Sequence, residues 1–141
     1  MKYKSKEDIW NAIVERISDI DYPSQHPVKN RAYILFQYYS QMESGGHEDV
    51  LNWLFNEKNI DKPLNVILNT LVEAKAICYM DIIDKYGQEM VSLYELLERN
   101  QGCEEAFYQV VREADEAYWT MNSFQQIVET YFYSHCDELL Q

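Results

Sequence analysis

Tyr33–Phe55, YILFQYYSQMESGGHEDVLNWLF, decides how the chain folds. An aromatic run enters Ser44-Gly45-Gly46-His47, and a second apolar run leaves it. Gly45-Gly46 is the only adjacent glycine pair among four glycines. Glycine takes positive φ at little cost, so the pair can stop one helix and redirect the chain within two residues. Either Ser44 or Gly46 then caps the next helix, with Glu48 and Asp49 in its first turn, where carboxylates suit the positive end of the dipole. The stretch therefore reads as a helical hairpin, with Ser44, Gly45, Gly46 and His47 as its structural turn.

Working outward, the same helical spacing recurs on both sides. Ser5 to Asp8 is a capping box with Asp in place of Glu, opening a helix with Ile9, Trp10, Ile13, Ile17 and Ile20 on one face. Pro23, Ser24 and Pro27 mark a loop. A second helix, roughly 29–43, turns Ala32, Leu35, Phe36, Tyr39 and Met42 inward, widened by Tyr33 and Tyr38. After the glycine pair, Val50 to Phe55 form a short third helix. Asp61 is a candidate cap and Pro63 suits a first turn. Helical pattern fills 62–86, as one helix or as two meeting near Leu71–Glu73, and Gly87 is expected to stop it. A further helix is expected over 89–100, ended by Asn100-Gln101-Gly102.

The clearest segment follows. Cys103, Ala106, Phe107, Val110, Val111, Ala114, Ala117, Tyr118 and Met121 share an arc of roughly 140° on a helical wheel. Glu104, Glu105, Glu113, Asp115 and Glu116 fall outside it, beside Arg112. Asn122 or Ser123 then caps a last helix carrying Phe124, Ile127, Val128, Tyr131, Phe132, His135 and Leu139. No stretch alternates with period two for long. The expected fold is a single acidic all-α domain, 1–141, of six to eight helices, with the Gly-Gly turn between helices two and three.

Net charge is −12 over 141 residues. Residues 1–72 hold ten acids and eight bases, and residues 73–141 hold fourteen and four, so the excess lies in the second half. Such a balance disfavours direct contact with nucleic acid or anionic membranes and favours basic proteins or cations. Cys78, Cys103 and Cys136 are odd in number and lack CxxC spacing, which argues against a disulfide framework or a closed zinc site. No apolar h-region follows the charged opening, and no apolar run approaches roughly 18 residues, so a cytoplasmic home is expected.

No catalytic arrangement, metal site or cofactor motif emerges from spacing. His26 precedes a proline, and His135 lies on an apolar stripe as a core histidine would. His47 has Glu43, Glu48 and Asp49 as candidate partners, and a metal or hydrolytic role centred on it is the remaining enzymatic alternative. The Gly pair lacks a P-loop lysine, and the surrounding carboxylates repel phosphate. The acidic face of 104–116 spans about 18 Å, so five carboxylates average ~3.6 Å per charge, close to the ~3.4 Å per phosphate of one DNA strand. The alternative is a solvated helix face serving solubility.

The order of these residues resembles the DNA mimic protein 19 family, a bacterial domain, over about residues 28–135. The carriers are Glu43 to Leu51 around the glycine pair, Leu71-Val72-Glu73-Ala74 as a short junction, and Asp115 to Trp119 near the final helix. Ser44 stands where the family has Asn, His47 where it has an aromatic, and Asp49 near where it has Gln. The resemblance implies an acidic all-helical fold without enzymatic activity, a homodimer, and a role in mimicking DNA charge at a helix-turn-helix transcription factor. Expected partner-binding residues are Glu104, Glu105, Glu113, Asp115 and Glu116, then Asp81, Asp84, Glu95 and Glu98. The expected partner is a basic protein such as a transcription factor. An immunity protein neutralising a basic nuclease toxin is the alternative.

Overall fold

In a computed structural model, describing residues 4–57, 59–60, 62–97, 99 and 101–141, eight α-helices and no strand are present among the described residues. In order they are α1 (Lys6–Ser18), α2 (Pro27–Gly45), α3 (His47–Asn56), α4 (Pro63–Glu73), α5 (Ile77–Leu97), α6 (Glu104–Met121), α7 (Phe124–Ser134) and α8 (Cys136–Leu139), with a 3-10 turn at Gln101–Cys103. Every helix gives side chains to one core, from Ile13 in α1 to Leu139 in α8. Fully burying one such side chain contributes on the order of 1.5–3 kcal/mol. Among the described residues no helix is long and apolar enough to cross a membrane.

The expected caps form in part. Ser5 Oγ accepts from the Asp8 N–H at 3.2 Å, while Asp8 reaches back to the Lys4 N–H. Asp61 lies outside the described residues. Pro27 opens α2 at a position where a missing N–H costs nothing. On α2 the fully buried side chains are Ala32, Ile34, Leu35, Tyr38 and Met42. Phe36 and Tyr39 are half-buried, because α7 and α1 cover that flank incompletely.

Residues 62–86 are two helices. Leu71 O accepts from the Ala76 N–H at 2.8 Å and Val72 O from the Lys75 N–H at 3.0 Å, with Lys75 at φ 62°. These crossed bonds satisfy the last carbonyls of α4 in a Schellman turn. A lysine holds the left-handed position that glycine would usually take, so composition does not mark the break.

Gly87 does not end a helix, contrary to the sequence expectation, and 89–100 is not a separate element. α5 runs through Gly87 from Ile77 to Leu97. A Cβ there would lie 3.2 Å from Leu64 Cδ2 of α4. The glycine lets α4 approach α5, whose surrounding turns are held by Ile82, Ile83 and Met90 in the core. At the other end, Ser123 does not cap α7 through its side chain. Its Oγ pairs with Tyr79 Oη at 2.9 Å, and its N–H donates to the same oxygen. The last helix breaks at His135, whose Nδ1 lies 2.9 Å from Tyr131 O.

α5 and α6 form an antiparallel pair. Tyr79 meets Tyr118, with ring centroids 5.3 Å apart, and Tyr94 meets Phe107 at 6.1 Å. Opposed sequence direction across the two contacts fixes the register. Lys75→Gly is expected to raise stability by roughly 0.5–1 kcal/mol, since glycine removes the left-handed penalty. Chemical denaturation checks it, and a loss of stability would contradict the turn.

Candidate functional site

The turn after α2 is built around one carboxylate that comes from far along the chain. Gly46 takes φ 76° and ψ −160°, a region essentially confined to glycine. Its N–H bonds Met42 O, and α3 starts at His47 without a cap from its own neighbourhood. Asp115 of α6 supplies it: Oδ1 accepts from the His47 backbone N–H at 2.8 Å and from His47 Nδ1 at 2.7 Å. A carboxylate at that end also suits the α3 dipole. Tyr38 Oη lies 2.7 Å from His47 Nε2.

A carboxylate only accepts, so Nδ1 carries the proton facing Asp115 and Nε2 accepts from the Tyr38 hydroxyl. Burial pushes the Tyr38 phenol well above its usual pKa, with Tyr118 and Asp115 adding to the effect, so it remains a donor. His47 and Tyr38 are each 1 % exposed. Both ring nitrogens are thus engaged inside the core. The partners foreseen for His47, namely Glu43, Glu48 and Asp49, are not the ones it uses. Asp49 instead accepts from Ser44 Oγ at 2.8 Å, alongside Gly45.

Asp115 therefore differs from the other carboxylates expected with it. Its side chain is 25 % exposed and turned toward the α3 start. Val111 and Tyr118, one turn to either side of it, are both buried, yet the wheel does not single it out, since Glu104 and Glu113 lie nearer the apolar arc. Glu104, Glu105, Glu113 and Glu116 are exposed on α6, and Asp81, Asp84 and Glu95 are exposed on α5. Glu98 lies outside the described residues.

The antiparallel register sets Asp84 near the level of Glu113 and Glu116, and Glu95 near Glu104 and Glu105. Residues 77–121 hold ten acids and three bases, a net of −7. Among the described residues the only side-chain ion pair within 4.0 Å is His47–Asp115, and no lysine or arginine meets an Asp or Glu carboxylate. Arg112 instead donates to Gln109 Oε1 at 3.1 Å, Arg31 to Tyr131 Oη at 3.2 Å, and Arg16 to the carbonyls of Leu140 and Gln141. Among the described residues no group of three or more His, Cys, Asp or Glu side chains is placed to hold a metal ion.

Two neighbouring substitutions separate the inward from the outward carboxylate. Asp115→Ala strands two buried donors and is expected to cost about 2–4 kcal/mol, whereas Glu116→Ala should stay within about 0.5 kcal/mol. Gly46→Ala should cost at least about 2 kcal/mol, because its Cβ would lie 2.5 Å from Asp115 Oδ2 in a glycine-only conformation. Urea denaturation of the three variants checks this, and equal costs at 115 and 116 would contradict it.

No protein-family model, curated protein or solved structure matches the chain.

Proposed function

We propose that this chain is an acidic, non-enzymatic binding protein that mimics DNA charge and occupies the basic surface of a DNA-binding protein. The observation that supports this best is the uncompensated outer surface of the α5–α6 pair. Four glutamates of α6 and four carboxylates of α5 (Asp81, Asp84, Glu89 and Glu95) are exposed, and none meets a lysine or arginine among the described residues. A carboxylate face serving only the fold would gain by pairing with the protein's own cations, even if each exposed pair contributes less than about 1 kcal/mol. Left unpaired, the charges project a field that attracts a cationic surface and repels nucleic acid. The resemblance to the DNA mimic protein 19 family points the same way and extends the proposal to a homodimer acting on a transcription factor.

The rigid spacing matters as much as the sign. Phosphates sit at fixed intervals, and carboxylates on helices anchored in one core hold fixed intervals too. Association should then be fast and strongly salt-dependent.

Affinity capture from the native host at about 50 mM and about 500 mM salt, with mass spectrometry of the eluates, identifies the partner. A basic DNA-binding protein recovered at low salt and lost at high salt is expected. Glu104→Gln, Glu105→Gln, Glu113→Gln and Glu116→Gln together should lower its affinity at least ~tenfold with the helical content unchanged. Capture that ignores salt and these substitutions would overturn the proposal.

A further inference from the structure

We propose that the groove between α2, the C-terminal end of α6 and the start of α7 receives an arginine side chain from a basic partner segment. The groove has a volume of about 390 Å³, and Tyr39, Glu43, Trp119, Gln125 and Glu129 line it. It continues into a second hollow of about 520 Å³, which shares Gln125 and Glu129 and adds Lys6, Trp10 and Tyr133. A peptide can therefore lie along it while one residue enters. The inference deepens the proposed function, and rests on it only in taking the partner to be basic.

Two features favour a cation with a flat, polarisable head. First, Glu43 of α2 and Glu129 of α7 face the same space from two helices. After burial, these two carboxylates are what raise the Tyr39 phenol pKa. Glu129 accepts from Gln125 Nε2 at 3.1 Å, and among the described residues neither glutamate has a lysine or arginine within 4.0 Å. Second, Trp119 is 42 % exposed. It meets Tyr118 nearly perpendicularly, with centroids 4.9 Å apart, and among the described residues is stacked on no other ring. In the adjoining hollow a cation of the chain itself lies on a ring: Lys6 Nζ is 5.5 Å from the centre of the Tyr133 ring.

The start of α7 opens into the groove without a side-chain cap. Its dipole contributes roughly half a positive charge, which two full carboxylates outweigh. A guanidinium can stack on the indole while its fork of donors reaches both carboxylates, whereas an ammonium is a point charge with no face to stack. Arginine should therefore be preferred to lysine.

A fluorescently labelled hexa-arginine peptide, titrated by anisotropy against a hexa-lysine peptide, tests this. Wild type should bind the arginine peptide more tightly. Trp119→Ala and the double substitution Glu43→Gln, Glu129→Gln should each weaken it at least ~fivefold while helical content holds. In wild type, the Trp119 indole N–H resonance should shift on titration, a readout that needs no variant. If the groove variants bind like wild type, or wild type does not bind or does not prefer arginine, the groove assignment fails. If the four-glutamine variant of α6 binds as wild type while the groove variants do not, the groove stands and the α6 face loses its proposed role.

Discussion

Asp115 joins two parts of the chain that are 68 residues apart, and much of the fold depends on that joint. Gly46 adopts a backbone that leaves α3 uncapped, and the same missing Cβ makes room for the carboxylate that caps it. The imidazole of His47 passes the hydrogen bond inward to Tyr38. The Tyr38 ring packs on Tyr118 and Phe124, with centroids 5.8 and 5.3 Å away. Tyr79 closes the cluster from α5, 4.8 Å from Phe124. Side chains of α2, α3, α5, α6 and α7 thus meet around one polar chain whose members are all satisfied. A half-satisfied version would be worse than an apolar one.

That arrangement divides the carboxylates of α6 by role. Asp115 is committed to the interior, where its charge faces a helix start and a histidine. Glu104, Glu105, Glu113 and Glu116 lie on turns that reach solvent, and Arg112 of the same helix bonds the Gln109 amide instead. Holding the α2–α3 hairpin onto α6 therefore also fixes where the outward charges sit. A partner would meet an acidic surface whose geometry is set by the core.

Much of this was legible in the sequence, and the failures have physical causes. Helical spacing and the Gly45-Gly46 pair gave the all-α class and the first hairpin, because period and glycine chemistry are local. Gly87 misled because glycine serves two ends, stopping helices and admitting a close neighbour, and only the position of Leu64 distinguishes them. Whether 62–86 was one helix or two stayed open because Lys75 fills a position that composition assigns to glycine. At the site, the exposed glutamates followed from the wheel. The Asp115–His47 bond did not, since no local rule links residues so far apart. The groove at Trp119 joins three helices and was equally out of reach.

The measurement that bears most directly on the central claim is the thermal midpoint as sodium chloride rises from about 10 mM to about 300 mM. Unpaired carboxylates repel one another, and salt screens that repulsion. The midpoint of wild type should rise by several degrees, and the rise should shrink when Glu104, Glu105, Glu113 and Glu116 are all glutamine. A midpoint that stays flat or falls with salt would mean that the carboxylates are paired within the molecule, and the picture of an open polyanionic face would be wrong.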